Sequence, residues 1–179
     1  MPGKLKFIIF AAFFAALTLI LPAYAEEYDG FIYETEHDYF YDENTGGSYY
    51  TIATITGYNG NEKDISIPKV LNGSYVKKIG EGAFSSNSQI TSVYIPSSIT
   101  YLGMYAFEGC QNLKTVVIDA NKELRCYDDY NDYYGLSYTF AKCHNLETVT
   151  INGTLENICG SMFSECTSLK SIDLTGTVY

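Results

Sequence analysis

Aligned on phenylalanine, the second half of the chain repeats one order of apolar and polar positions: "GAFSSNSQITSVYIP", "YAFEGCQNLKTVVID", "YTFAKCHNLETVTIN" and "SMFSECTSLKSIDLT". The anchors are Phe84, Phe107, Phe140 and Phe163, spaced 23, 33 and 23 residues, so the middle interval is one period plus ten inserted residues. Six positions after each anchor stand Ile90, Leu113, Leu146 and Leu169; nine after, Val93, Val116, Val149 and Ile172; eleven after, Ile95, Ile118, Ile151 and Leu174. The last two sets alternate with polar or mixed residues, the period of two of a short strand with one buried face. Upstream of the anchors, "VKKIGEGAF", "ITYLGMYAF" and "LENICGSMF" share an apolar residue, two spacers, an apolar residue and Gly80, Gly103 or Gly160.

A unit of about two dozen residues cannot bury its own apolar face, but units stacked side by side can, and stacking turns each position into a ladder. The phenylalanines then belong to the core, each ring contributing roughly 2 to 3 kcal/mol by burial. Three positions after them come Asn87, Cys110, Cys143 and Cys166, which read as small inward groups bonding to the turn backbone.

The pattern "IP..V..IG..AF..C..L..I.I", running from about Ile65 to Tyr179, resembles the BspA-like class of leucine-rich repeats. That resemblance implies an α/β-type, strand-dominated leucine-rich repeat solenoid, with short parallel strands on a concave face and turns or short 3₁₀ pieces on the convex face. It also implies an exported or cell-surface protein that binds other proteins or adheres to host or neighbouring surfaces, without catalysis.

Two features depart from the family's pattern. The third unit has no clear "IG" and carries "ANKELRCYDDYNDYYGLSY", a tyrosine- and aspartate-rich insertion over 120–138. A fifth phenylalanine would fall near position 186, beyond Tyr179, so the last repeat reads as incomplete. Ile172, Leu174 and Val178 are then expected at an uncovered end, either because the chain is truncated or because something else covers it, a second copy stacking there included.

Residues 26–64 read as an N-terminal capping segment. Phe31, Tyr33, Tyr39 and Tyr41 precede the turn residues "ENTGGS", and "YYTIATITGY" follows with β-branched residues, the signal of a β-hairpin, here expected to cover the first repeat of a domain spanning 65–179. Residues 1–25 have the order of a secretory signal peptide: Lys4 and Lys6, the fifteen-residue apolar run Phe7 to Leu21, then Ala23-Tyr24-Ala25. The run is short of the roughly 20 residues a spanning helix needs, so export with cleavage is expected rather than membrane insertion.

After cleavage the chain would hold nine basic and 21 acidic residues, a net charge of −12, which repels phosphate backbones and argues against nucleic acid and anionic membrane as partners. Five cysteines, an odd number, cannot all pair within the chain. Adjacent rungs of a parallel stack lie about 4.8 Å apart, which makes a Cys143–Cys166 bridge geometrically possible beside the thiol-ladder reading.

Little of the sequence suggests catalysis. His144 next to Cys143 invites a Cys-His reading, but a ladder cysteine should point inward, and no cysteines stand at zinc-finger spacing. "DDYNDYYG" lacks the spacing of a calcium loop. No cofactor or metal is expected. Candidate partner-binding residues are the outward strand positions, Ser92, Thr115, Thr148 and Ser171 eight after the anchors and Tyr94, Val117, Thr150 and Asp173 ten after, together with Tyr130, Tyr133 and Tyr134 of the insertion.

Overall fold

The computed structural model describes residues 25–42, 46–126, 137–155 and 160–178. Aromatic and β-branched residues near the N-terminus form three antiparallel strands, β1 (Glu26–Tyr28), β2 (Phe31–Asp42) and β3 (Gly46–Tyr58). β2 and β3 pair from Phe31↔Tyr58 to Asp42↔Gly46, and Tyr33, Ala53 and Ile55 bury one face of this hairpin. The short strands that follow are β4 (Asp64–Ser66), β5 (Val70–Leu71), β6 (Ser74–Ile79), β7 (Ser92–Ile95), β8 (Tyr101–Leu102), β9 (Thr115–Ala120), β10 (Thr148–Leu155), β11 (Ser171–Leu174) and β12 (Thr177–Val178).

These strands make two sheets. In the second, β4, β7, β9, β10 and β11 lie side by side, all parallel, with β12 also on β10. Val93 pairs with Val116, Val116 with Val149 and Val149 with Ile172, so the register equals the spacing of the repeat. The first sheet runs β1, β2, β3, β6, β5, with β8 also on β6. β3, β6 and β8 are parallel, and an isolated bridge from Tyr101 to Arg125 carries that row one rung further. The lead-ins "VKKIG" and "ITYLG" thus supply strands of their own, β6 and β8, in a sheet separate from the one read from the alternating pattern.

Between the sheets the phenylalanines form a column. Phe84, Phe107, Phe140 and Phe163 stack with ring centroids 4.6, 5.0 and 5.7 Å apart, and Phe31 and Tyr58 close the column on the other side of Phe84. Phe107 and Phe140 are fully buried, whereas Phe163, Cys166 and Leu169 are only partly so.

The α/β label and the 3₁₀ pieces expected from the resemblance need correction: among the described residues the elements are strands and turns, with no helix. The cause lies in the backbone around each phenylalanine. Two residues before it Gly82, Tyr105, Tyr138 and Ser161 have positive φ, and two residues after it so do Ser86, Gly109, Lys142 and Glu165. A left-handed residue every four positions breaks helical progression and turns the amides along the stack. Phe84 N–H donates to Ala106 O at 2.7 Å, Phe107 N–H to Thr139 O at 2.7 Å and Phe140 N–H to Met162 O at 2.9 Å, so these amides bond to the next rung, while Ser85, Glu108 and Ala141 N–H close single turns onto Gly82, Tyr105 and Tyr138 O.

Candidate functional site

The outward positions of the second sheet fall into continuous rows. Asp64, Ser92, Thr115, Thr148 and Ser171 are neighbours in register, as are Ser66, Tyr94, Val117, Thr150 and Asp173. Thr115 and Asp173 are exposed, and the other six predicted positions are half-buried by their neighbours in the rows. Val93, Val116 and Val149, which alternate with them, are buried, so the two sets point to opposite sides.

Hydrogen bonds tie these rows together. Ser92 Oγ and Thr91 Oγ1 donate to Asp64 Oδ1 at 2.6 and 2.9 Å. From the second row outward, Tyr94 Oη donates to Asp119 Oδ2 at 2.5 Å, Asn152 Nδ2 to Asp119 Oδ1 at 2.8 Å, and Thr175 Oγ1 to Asn152 Oδ1 at 2.6 Å. This chain of donors crosses four rungs. It holds the Asp119 carboxyl below its usual range through Tyr94 first and Asn152 second, and Asp64 likewise through Ser92 and Thr91. Asp119 in turn holds the Tyr94 hydroxyl up. The face is therefore pre-ordered, hydroxyl-rich and acidic at Asp64, Asp119 and Asp173.

The cysteines do something simpler. Cys110 Sγ donates to Phe84 O at 3.1 Å, Cys143 Sγ to Phe107 O at 3.2 Å and Cys166 Sγ to Phe140 O at 3.1 Å, each reaching back one rung. All three are free thiols, so the geometrically possible Cys143–Cys166 bridge is not made. The rung-to-rung register satisfies each sulfur with a carbonyl instead. A hydrogen bond with Cys110, together with burial, pushes the Cys143 thiol up, and burial raises Cys166 to about 11. Asn87, at the equivalent position, closes its own turn by accepting from Gln89 and Ile90 N–H at 2.9 and 3.2 Å. Cys126 is buried and disulfide-bonded.

Tyr130, Tyr133 and Tyr134, Cys159, and residues 1–24 of the signal peptide expected over 1–25 lie outside the described residues. His144 is exposed, with Nδ1 3.0 Å from Gln111 Oε1, whereas the adjacent Cys143 is buried and its Sγ bonds to Phe107 O. Among the described residues no three His, Cys, Asp or Glu side chains come together as a metal site would require. No helix among them is long and apolar enough to cross a membrane.

A cleft of about 880 Å³ on the outer side of the first sheet was not anticipated from the pattern. Its floor is set by register: Glu36 lies opposite Ile52, Asp38 opposite Tyr50, and Lys78 beside Tyr101, which bridges to Arg125. Lys78 Nζ is 2.6 Å from Glu36 Oε1, and Tyr50 Oη donates to Asp38 Oδ2 at 2.9 Å. That hydrogen bond, more than burial, raises the Tyr50 hydroxyl. Alternation in "ETEHD" and "SYYTI" and the single arginine were available as signals, but only the pairing of β3, β6 and β8 brings them to one place.

Three comparisons place this architecture. The sequence pattern described as a BspA type leucine rich repeat region matches residues 55–131 and 134–179 in six copies, two more than the phenylalanine anchors mark. The rung ahead of Phe84 explains part of the difference. β4 supplies Ile65 in register with Val93, while Tyr58 and Phe31 stand where a phenylalanine would.

Among solved structures, a leucine-rich repeat protein from Bacteroides capillosus superposes with a TM-score of 0.54 at 21% identity, over 84% of this chain and 97% of that one. A leucine rich cell surface protein from Faecalibacterium prausnitzii aligns at 29% identity with a TM-score of 0.48, over 86% of this chain and 43% of that one. No curated protein matches. With more than half its length covered by the repeat pattern, and the register of its strands following that repeat, the chain belongs to the BspA-type leucine-rich repeat family.

Proposed function

We propose that this chain is an exported, cell-surface interaction module without catalytic chemistry, a curved solenoid whose concave face is the second sheet and whose partner is a protein. The observation that carries this reading is the alignment of outward side chains into rows across β4, β7, β9, β10 and β11, over a core that leaves them little freedom to move. A pre-ordered face loses little conformational entropy on docking, which favours recognition. The apolar-then-small order of residues 1–25 supports export, and the resemblance to BspA-like repeats suggests a host or neighbouring-cell surface as the target.

Flow cytometry of the labelled protein on intact cells tests it. Val117→Arg/Thr150→Arg, placed at the centre of the face, should lower binding by at least about tenfold, since hot-spot positions cluster centrally. Undiminished binding by that folded variant refutes the reading. Tyr130→Ser/Tyr133→Ser/Tyr134→Ser separates the insertion from the strand face: retained binding supports the face, and lost binding transfers the site to the insertion.

A second reading, self-association through β11, is favoured by one observation. Ile172 and Leu174 are 39% and 45% exposed, whereas the residues beside them in register, Val149 and Ile151, are 0% and 2% exposed. Light scattering should then show an association that Ile172→Lys/Leu174→Lys abolishes; a monomer at all concentrations sinks it.

A further inference from the structure

We propose that the cleft on the outer side of the first sheet is a saccharide-binding site for a neutral, hydroxyl-rich ligand. The argument begins with charge. In a chain expected to carry −12 after export, this cleft is balanced: Glu36, Asp38 and Glu123 face Lys77, Lys78 and Arg125. Three of the nine basic residues beyond position 25, among them the single arginine, are gathered here. A polyanion would meet three carboxylates and a polycation three cations, so neither is favoured over a neutral ligand.

The donor and acceptor supply points the same way. Each sugar hydroxyl both donates and accepts, and so needs the two kinds of partner close together. The cleft interleaves them, with carboxylates that only accept, lysine and arginine that only donate, and the hydroxyls of Thr100, Tyr50 and Tyr101 that do both. The Glu36–Lys78 and Asp38–Tyr50 contacts hold four of these groups in place before any ligand arrives. Tyr50 and Tyr101, both half-buried, line the cleft and give ring surface for the apolar side of a pyranose. The volume lies within the roughly 300–1,000 Å³ of small-ligand sites, but the lining is far more polar than an apolar ligand would require.

An extended peptide fits less well. Peptides add to a free sheet edge or seat side chains in apolar pockets. Here the cleft offers no such pocket, because its aliphatic residue, Ile52, is only 4% exposed and the rest of its lining is polar, charged or tyrosine. This site is on a different sheet from the strand face, so the two readings fail separately.

A glycan array carrying neutral, sulfated and sialylated oligosaccharides, followed by calorimetry with the neutral oligosaccharide that binds, tests the proposal on the purified protein. At least one neutral glycan should bind, with an affinity that changes little between about 0.05 and 0.5 M salt. Tyr101→Ala should weaken it by at least about tenfold, and the exposed Glu123→Gln, which need not disturb folding, by several-fold. Val117→Arg/Thr150→Arg on the other sheet should leave it unchanged. The proposal is overturned by silence toward every neutral glycan, by a preference for anionic glycans or for a zwitterionic peptide probe, or by full binding in the Glu123→Gln protein.

Discussion

Phe107 lies between Phe84 at 4.6 Å and Phe140 at 5.0 Å and has no exposed surface, whereas Phe163 stacks on one side only. Truncating the buried ring removes its transfer free energy and leaves a cavity between two fixed neighbours. Phe107→Ala should cost about 3–5 kcal/mol in urea unfolding and Phe163→Ala roughly half of that. Equal costs would show that the column's open end is covered in solution. Glu165 is exposed and held at φ 60°, a conformation costing a non-glycine residue about 1–2 kcal/mol. Glycine avoids that strain but loses more entropy on folding, so Glu165→Gly should stabilise by about 0.5–1 kcal/mol, read as a shifted urea midpoint. The phenylalanine, cysteine and valine ladders could be read from spacing, because burial selects side chains and leaves a periodic trace. The left-handed positions could not: Tyr105, Tyr138, Lys142 and Glu165 are not residue types that announce positive φ, and only the inter-rung hydrogen bonds impose it.

At the scale of the element, the lead-in strands explain the glycine of the "IG" pair. A Cβ on Gly103 would sit 2.5 Å from both Gly80 C and Glu81 N, backbone atoms of the preceding rung that cannot swing aside. Gly103→Ala should therefore cost about 1–3 kcal/mol and slacken the rungs locally, seen as faster amide exchange at Leu102 and Gly103. Wild-type protection there would contradict the close approach. The lead-ins were legible as a repeat but not as a sheet. Two paired residues, as in β8, are too few to show alternation, and their pairing appears only once β6 lies alongside. The same limit hid the cleft, whose walls come from β2, β3, β6 and the Thr100–Arg125 region.

For the whole molecule, stability should depend on pH at both ends. Asp64, Asp119 and Glu147 are held below their usual carboxylate range by hydrogen bonds, from Ser92, Tyr94 and Lys170 respectively, so their contribution is present above about pH 4 and is lost as pH falls through the folded values. Cys166 is raised to about 11 by burial, and Tyr33 to about 12 by burial and then its bond to Glu26. Their contributions are complete below the unfolded values, about 8.5 and 10, and disappear as pH rises through the folded ones. Urea midpoints at about 0.15 M salt, which screens the self-repulsion of an acidic chain, should therefore be level from about pH 5 to 8 and fall on either side. A midpoint still rising at pH 10 would contradict the alkaline half. The sequence alone determined the period, the buried column and the register of the second sheet, because a one-dimensional stack writes its contacts at a constant separation along the chain. Tertiary structure decided what has no constant separation: the second row of strands, the carbonyl partners of the thiols, and the cleft. There Glu36 meets Lys78 across 42 positions, a pairing set by how the N-terminal hairpin docks on the first rung.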